Sequence, residues 1–281
     1  MTIQEAMGKA NIQLKTKNID SPKLKARLLM QYVLKQNRQY LMVHDENKLT
    51  QEQKEKYFKA IERLSKGIPL QHITHQQEFM KMNFYVNENV LIPRPDTEIL
   101  VEEVMKIAPK INAKKILDLC TGSGAIAISL AKYIENSQVT ATDISEEALA
   151  IAERNAKNNK VDKQIAFLSS NLFEELPKEK YDMIVSNPPY IKREIVKTLA
   201  KEVQNEPLMA LDGGWDGLDF YRKIIHQADD FLKYGGYLCL EIGYDQKEDV
   251  MDLIEREEKY TNSYCKKDLY GKDRVVVTKL S

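Results

Sequence analysis

The residues best equipped for chemistry stand together in Asn187-Pro188-Pro189-Tyr190. Two consecutive prolines fix φ and carry no N–H, so such a turn offers carbonyls that must find donors outside it. The Asn187 side-chain carbonyl adds an acceptor and Tyr190 a flat ring. Acceptors beside an aromatic face suit a planar group bearing an NH₂: both protons can be held while the nitrogen is aimed at an electrophilic methyl. The lone pair of an amide or exocyclic amine is delocalised and weakly nucleophilic. Hydrogen bonds that oppose this delocalisation, with in-line alignment, promote displacement without a charged base.

A second constellation lies upstream, in Asp118-Leu-Cys-Thr-Gly122-Ser-Gly124-Ala-Ile-Ala127. Its glycines allow a tight turn and a close backbone approach to a ligand. Gly122-x-Gly124-x-x-Ala127 fits a dinucleotide fingerprint, and Asp143, 19 residues after Gly124, can accept both ribose hydroxyls. NAD and S-adenosylmethionine both remain open on this motif. Asp118 leans toward the latter, because a carboxylate is unfavourable beside a pyrophosphate and welcome beside a sulfonium and an amino group.

These residues need strands and helices to position them. Ile116–Leu119, Val139–Thr142, Ile165–Leu168, Tyr181–Ser186, Tyr237–Ile242 and Val275–Thr278 read as strands. Between them run helices over 96–107 and 125–133, and another capped by Ser145 with Glu146 and Glu147 in its first turn. The alternation predicts an α/β fold, Rossmann-like, with a mostly parallel sheet covered on both faces and ligands at the carboxyl ends of its strands. Residues 1–75 read instead as a small helical bundle, with Asp20-Ser21-Pro22 as a helix start and Thr50 with Gln53 as a capping box. Phe79 to Leu91 carries short apolar runs that predict a β-hairpin linker over 76–95, leaving 96–281 for the ligand-binding domain.

Over the whole chain 42 Lys and Arg cancel 42 Asp and Glu, which argues against a wholesale polyanion binder. The balance is uneven: residues 1–78 hold 14 basic against 8 acidic side chains, so the front is +6 and the remainder −6. The front is either a docking face or a solvated helical surface. Leu119–Ala131, the longest stretch free of charge, has 13 residues and two glycines, too short and broken to span a bilayer. The first residues lack the pattern of a leader, so a cytoplasmic protein is expected. Cys120, Cys239 and Cys265 read as free thiols, and His44, His72, His75 and His226 show no metal-ligand spacing, so no metal is expected.

Asp118–Gly124 and Asn187–Tyr190 resemble the class I S-adenosylmethionine-dependent methyltransferases that modify planar nitrogens. Three further segments narrow the likeness: Ile92-Pro-Arg-Pro-Asp-Thr-Glu98; Glu206-Pro-Leu-Met-Ala-Leu-Asp-Gly-Gly214 with Asp216-Gly-Leu218; and Asp268-Leu-Tyr-Gly271 with Asp273-Arg274. Together they resemble the PrmC/HemK family, the peptide chain release factor glutamine methyltransferases, over essentially the whole chain. The resemblance implies methyl transfer from S-adenosylmethionine, leaving S-adenosylhomocysteine, to the side-chain amide nitrogen (N5) of the Gly-Gly-Gln glutamine in bacterial-type release factors. It implies that Cys120, Thr121, Gly122, Ser123 and Gly124 surround the methionine part, with Asp143 on the ribose and Leu172 on the adenine. It further implies that Asn187 and Pro188 accept the glutamine NH₂ beside Pro189, with Tyr190 packing on it. Arg94, between two prolines, is a pre-set arm near the substrate or a salt-bridged linker; Trp215 is a rim residue or a plug.

Two positions depart from the pattern. Cys120 replaces a frequent Gly, which suggests a wider turn or a negative φ there and a site sensitive to oxidation. Asn171 replaces a frequent Asp, so an adenine amino group would meet an amide carbonyl. Three alternatives stand beside this reading. An adenine-N6 DNA methyltransferase would also need an acceptor turn, but the −6 catalytic portion is a poor DNA groove and no stable nucleic-acid binding is expected. The others are an NAD-binding oxidoreductase and a non-catalytic adaptor of the same fold.

Overall fold

A computed structural model describes all residues, Met1–Ser281, and divides them into two compact units. The first holds Met1–Gln76 together with Ala200–Asn205. Helices α1 (Ile3–Thr16), α2 (Pro22–Leu34), α3 (Arg38–Val43), α4 (Gln51–Ser65) and α5 (Leu70–Thr74) enclose a core of Ala6, Ala10, Leu14, Leu29, Met30, Tyr57, Ile61 and Leu64. Thr50 and Gln53 form the expected reciprocal cap, and Thr2 with Glu5 forms a second at the start of α1. Ser21 does not cap α2; its backbone is left-handed and its side chain makes no capping bond, so Pro22 alone sets the helix start. Tyr57 Oη, deep in the core, donates to the Ala26 carbonyl of α2 at 3.0 Å, giving the buried phenol its partner.

The second unit comprises Gln77–Leu199 and Glu206–Ser281. Its hairpin pairs β1 (Gln77–Phe79) with β2 (Met82–Phe84), and α6 (Pro95–Ile107) follows. Then come β3 (Lys115–Leu119), α7 (Ala125–Tyr133), β4 (Gln138–Asp143), α8 (Glu146–Asn159), β5 (Ile165–Ser169) and β6 (Tyr181–Ser186). After β6 the short helix α9 (Arg193–Val196) precedes α10 (Lys201–Gln204), which lies in the segment that packs with the helical unit. There Glu202 pairs with Lys25 at 2.7 Å and Asn205 Nδ2 donates to the Gly67 carbonyl at 3.1 Å. Sequence patterning gave no sign of that association, because contiguous residues were read as one domain.

The chain closes with α11 (Asp219–Gln227), β7 (Leu232–Glu241), α12 (Lys247–Glu255), β8 (Tyr260–Lys267) and β9 (Asp273–Leu280). The seven strands run β5-β4-β3-β6-β7-β9-β8, parallel from β5 to β7, with β9 and β8 antiparallel. The mostly parallel sheet is the one expected; β8 was not, since Tyr260–Lys267 is largely polar and forms the outer edge. Apolar clusters cover both faces, one through α6, α7 and α8 and the other through α11 and α12. Buried on both sides, the central strands carry apolar runs such as Ile184-Val185 rather than strict alternation. The strand order reverses beside β3, so the carboxyl ends of β3, β4 and β6 open a crevice there. No helix is long and apolar enough to cross a membrane.

Candidate active site

At the end of β3 the chain turns over the sheet and enters α7. Asp118 is fully buried and turns inward: its Oδ2 accepts from Thr121 Oγ1 at 2.6 Å and from the Ala127 amide at 3.1 Å. The carboxylate thus ties the turn to the first turn of α7 rather than facing a cationic ligand, as its charge alone had suggested. Burial pushes its pKa up to about 7, against the pull of those two donors. Gly124 has φ +80°, and a Cβ there would come within 3.0 Å of Ala152 Cβ, so both the turn and the packing of α7 on α8 require glycine.

Cys120 does not adopt a negative φ; it sits at +59°, the left-handed region a glycine would occupy without strain. Desolvation, with Asp143 and Asp118 nearby, pushes its thiol pKa up. The neutral thiol is a poor nucleophile, which weakens the expectation of easy oxidation. Asp143, at the end of β4, accepts from Gly122 N at 2.8 Å and Ser145 N at 3.0 Å, one bond to each carboxylate oxygen. Each oxygen keeps acceptor capacity, and burial raises the pKa of the group.

These elements wall a cavity of about 510 Å³, within the range of small-molecule sites. Cys120, Gly122, Asp143, Leu172, Asn187 and Pro189 all line it. Thr121, Ser123 and Gly124 stand behind the wall: Thr121 is spent on Asp118, and the Ser123 carbonyl accepts from Asn155 Nδ2 at 2.9 Å. Asn171 also lines the cavity; its Nδ2 donates to Glu174 at 2.9 Å, which leaves its carbonyl as the free end. On the opposite side the wall is built by Asn89–Leu91 and Pro207–Ala210.

The transfer turn leaves β6 beside the cofactor turn, where Ser186 Oγ donates to the Leu119 carbonyl at 2.8 Å. Asn187 Nδ2 donates to Thr97 Oγ1 at 3.2 Å, so the Asn187 carbonyl oxygen is the end left for the cavity. Pro188 and Pro189 are buried, and the Pro188 carbonyl takes no donor from the protein. The Tyr190 carbonyl accepts from Gln246 Nε2 at 3.0 Å, and its phenol donates to Glu241 at 3.4 Å. Burial and the neighbouring Glu241 raise the phenol pKa, keeping it a donor. Behind the turn, a Cβ on Gly213 would lie 2.6 Å from Tyr190 Cα, so only glycine permits this approach.

Arg94 does not line the cavity. It pairs with buried Glu206, whose other oxygen accepts from Ile92 N at 2.9 Å, so the salt-bridged linker is the form observed. Trp215 is 81% exposed, which rules out a plug. Sequence reasoning overlooked Thr97, Glu241 and Gln246 as supports. One signal was available: Glu241 is the single charge in the apolar run Tyr237–Ile242.

Residues 95–270 match the family profile described as the methyltransferase small domain, and residues 5–74 match the PrmC N-terminal domain. The release factor glutamine methyltransferase of Clostridium acetobutylicum is 39% identical over 99% of this chain and 98% of its own. The protein of the same description from Moorella thermoacetica is 39% identical over 98% of this chain and 97% of its own. Among solved structures, the ribosomal protein L11 methylase of Lactobacillus delbrueckii subsp. bulgaricus superposes with TM-score 0.51 at 22% identity, covering 70% of this chain and 84% of its own, a likeness of fold.

Proposed function

The chain belongs to the family of release factor glutamine methyltransferases, and from that premise we propose how its residues divide the work of methylating a release factor glutamine. It is a protein-glutamine methyltransferase that uses S-adenosylmethionine and acts on the side-chain amide nitrogen. Family membership leaves the NAD-dependent and adenine-N6 readings without support.

The cavity fits the cofactor. Asp143 retains acceptor capacity for a ribose, Leu172 offers an apolar wall and Asn171 a free carbonyl for an adenine amino group, while Cys120 and Gly122 lie toward the methionine end. When bound, S-adenosylmethionine supplies an electrophilic methyl. The observation that supports the assignment to an amide is the polarity of the transfer turn: Asn187, which lines the cavity, has its NH₂ occupied by Thr97 and its carbonyl left over, and the Pro188 carbonyl, though Pro188 is not part of the cavity wall, takes no donor from the protein, so both can serve as acceptors. Two acceptors hold both N–H bonds of a glutamine NH₂ and oppose the conjugation that blunts its lone pair. As the new N–C bond forms and the S–C bond breaks, one amide proton leaves to solvent. Pro189 walls the pocket and Tyr190 packs on the amide plane, its phenol held by Glu241 and its backbone carbonyl by Gln246. Arg94 supports the site through Glu206.

The helical unit serves as the docking domain for the factor. Between α2, α4 and α5 it carries a groove lined by Lys35, Lys56, Lys59, Arg63 and His75 over Val33, Ala60 and Ile73, a basic surface with an apolar floor. The substrate partner is a bacterial-type release factor carrying Gly-Gly-Gln, no nucleic acid or membrane is needed, and we infer a cytoplasmic location from a substrate that works in translation.

Methyl transfer from labelled S-adenosylmethionine to three acceptors tests the reading: a purified release factor, the same factor with its Gly-Gly-Gln glutamine replaced by alanine, and duplex DNA. Label on the intact factor alone is expected. Label on DNA, or equal label on both forms of the factor, would overturn it.

A further inference from the structure

Two parts of the cavity wall are far apart in the chain: the cofactor turn after β3, and the segment Tyr85–Ile92 that follows the hairpin and supplies Asn89, Val90 and Leu91. One side chain, Asn155 on α8, joins them from behind. It is fully buried and lines no part of the cavity. Its Oδ1 accepts from the Tyr85 amide at 2.7 Å, while its Nδ2 donates to the Tyr85 carbonyl and to the Ser123 carbonyl, both at 2.9 Å.

A primary carboxamide offers an acceptor beside two donors, the polar groups of a peptide with one donor to spare. Tyr85 lies one residue past β2, where the pairing of the hairpin has ended, and Asn155 gives it both bonds that a neighbouring strand would have given. The spare proton reaches the cofactor turn at Ser123, between Gly122 at φ +55° and Gly124 at φ +80°. Val86, Val90 and Ile92 also pack on Ala148 and Ile151 of α8. Such apolar contact is non-directional: it holds the strap against the helix but does not fix its register, whereas three hydrogen bonds from one rigid group do. Aspartate in this place would have no donor for the two carbonyls, and leucine no polar atom at all.

We propose that Asn155 is a positioning residue for cofactor binding, fixing the register of the Tyr85–Ile92 strap against the cofactor turn so that both are set before S-adenosylmethionine enters. The inference rests on the assignment of the cavity to that cofactor given above. A wall ordered in advance costs the ligand nothing to order, so the benefit falls on affinity. The acceptor side is held by other residues and is outside its reach. Asn159, one turn further along α8, supplies a comparison: its Nδ2 donates to the Asn83 carbonyl of β2 at 3.2 Å, tying the same helix to the same hairpin through residues that line no part of the cavity.

The test compares Asn155→Ala with Asn159→Ala, with Asn155→Ser standing in should the first variant fail to fold. Calorimetric titration gives the Kd for S-adenosylmethionine and for S-adenosylhomocysteine, and steady-state assays on a release factor give kcat at saturating cofactor. Expected for Asn155→Ala is a Kd at least about tenfold higher with kcat within about threefold of wild type, and for Asn159→Ala a Kd within about twofold. A merely structural role would lower the melting temperature and leave the affinity of the folded molecules alone. Unchanged Kd in folded Asn155→Ala, an equal rise in Asn159→Ala, or a kcat loss as large as the loss of affinity would overturn the proposal. If the wild-type protein does not bind the cofactor, the assignment of the cavity falls and the proposal with it. If it binds the cofactor and labels no release factor, the amide-methylation reading falls, and the Kd comparison still decides the role of Asn155.

Discussion

The two turns that make the site leave neighbouring parallel strands, β3 and β6, at the same edge of the sheet, yet they are held in opposite ways. The cofactor turn is largely self-contained. Asp118 binds Thr121 and Ala127 within its own strand-turn-helix, and Asp143 from the next strand closes it. The transfer turn contributes almost nothing to its own support. Thr97, Gly213 and the pair Glu241 and Gln246 brace it from three distant parts of the chain. Prolines explain the contrast: without N–H groups a turn cannot pin itself with backbone donors, and its carbonyls must stay open for the substrate. A turn built to bind something else has to be positioned by its surroundings.

Mutations should separate the two turns. The largest effect is expected for Asn187→Ala, a kcat loss on the order of 10² to 10³ with cofactor Kd nearly unchanged, because it removes an acceptor used at the reacting nitrogen. Asp143→Ala should reverse this pattern, weakening cofactor affinity about 10- to 100-fold while saturating cofactor restores most turnover. Calorimetric titration alongside steady-state assays checks both, and a fall in cofactor affinity for Asn187→Ala as steep as for Asp143→Ala would erase the distinction.

A matched glycine pair gives the next effect. Gly213→Ala forces a methyl against the Tyr190 backbone and should cost about 1–3 kcal/mol of stability with turnover falling more than cofactor affinity. Gly124→Ala meets Ala152 in a left-handed turn and should show the reverse split at a similar cost. Denaturant unfolding with the two assays measures it; identical splits would mean that the turns are mechanically one unit.

Each turn also rests on one buried acid, Asp118 in the first and Glu241 in the second, both pushed by burial up to about 7. Carboxyls of the unfolded chain titrate near about 4, so between these values the folded protein binds the extra protons. Stability from these two groups is complete at the acid end of that window and is lost as pH rises through about 7. Groups facing Glu241 act on the same titration: Arg274 and Tyr190 favour its charge, Asp96 disfavours it. Unfolding free energies at pH 5.5 and pH 8 should differ less in Asp118→Asn/Glu241→Gln than in the wild type, and equal differences would show that neither acid titrates there. The smallest effect belongs to Cys120→Gly. Relief of left-handed strain, about 1–2 kcal/mol, is offset by glycine's added chain entropy and the lost side chain, so stability should shift by less than about 1 kcal/mol. A change above about 2 kcal/mol in melting experiments would mean that the thiol does more than fill space.

Much of this was legible before any coordinates. Gly122, Gly124 and Asp143 declare a ligand turn because their meaning is local: a strand, a tight turn and an acid one strand later. The capping box at Thr50 and Gln53 is local in the same sense. The inward turn of Asp118 was misread because type and position reveal charge but not direction, and burial then outweighed the attraction its charge had suggested. The strand β8 went unnoticed for a related reason: a polar edge strand depends on what packs beside it.

By itself the sequence determined the chemistry on offer, namely a glycine turn for a cofactor and a proline turn of acceptors for a planar NH₂, because those properties reside in single residue types and short spacings. Tertiary structure alone decided which end of Asn187 faces the cavity, that Arg94 is committed to Glu206, and that Ala200–Asn205 packs with the helical unit. Hydrogen-bond polarity and ion pairing are relations between residues dozens of positions apart, and only the folded chain brings their partners within reach.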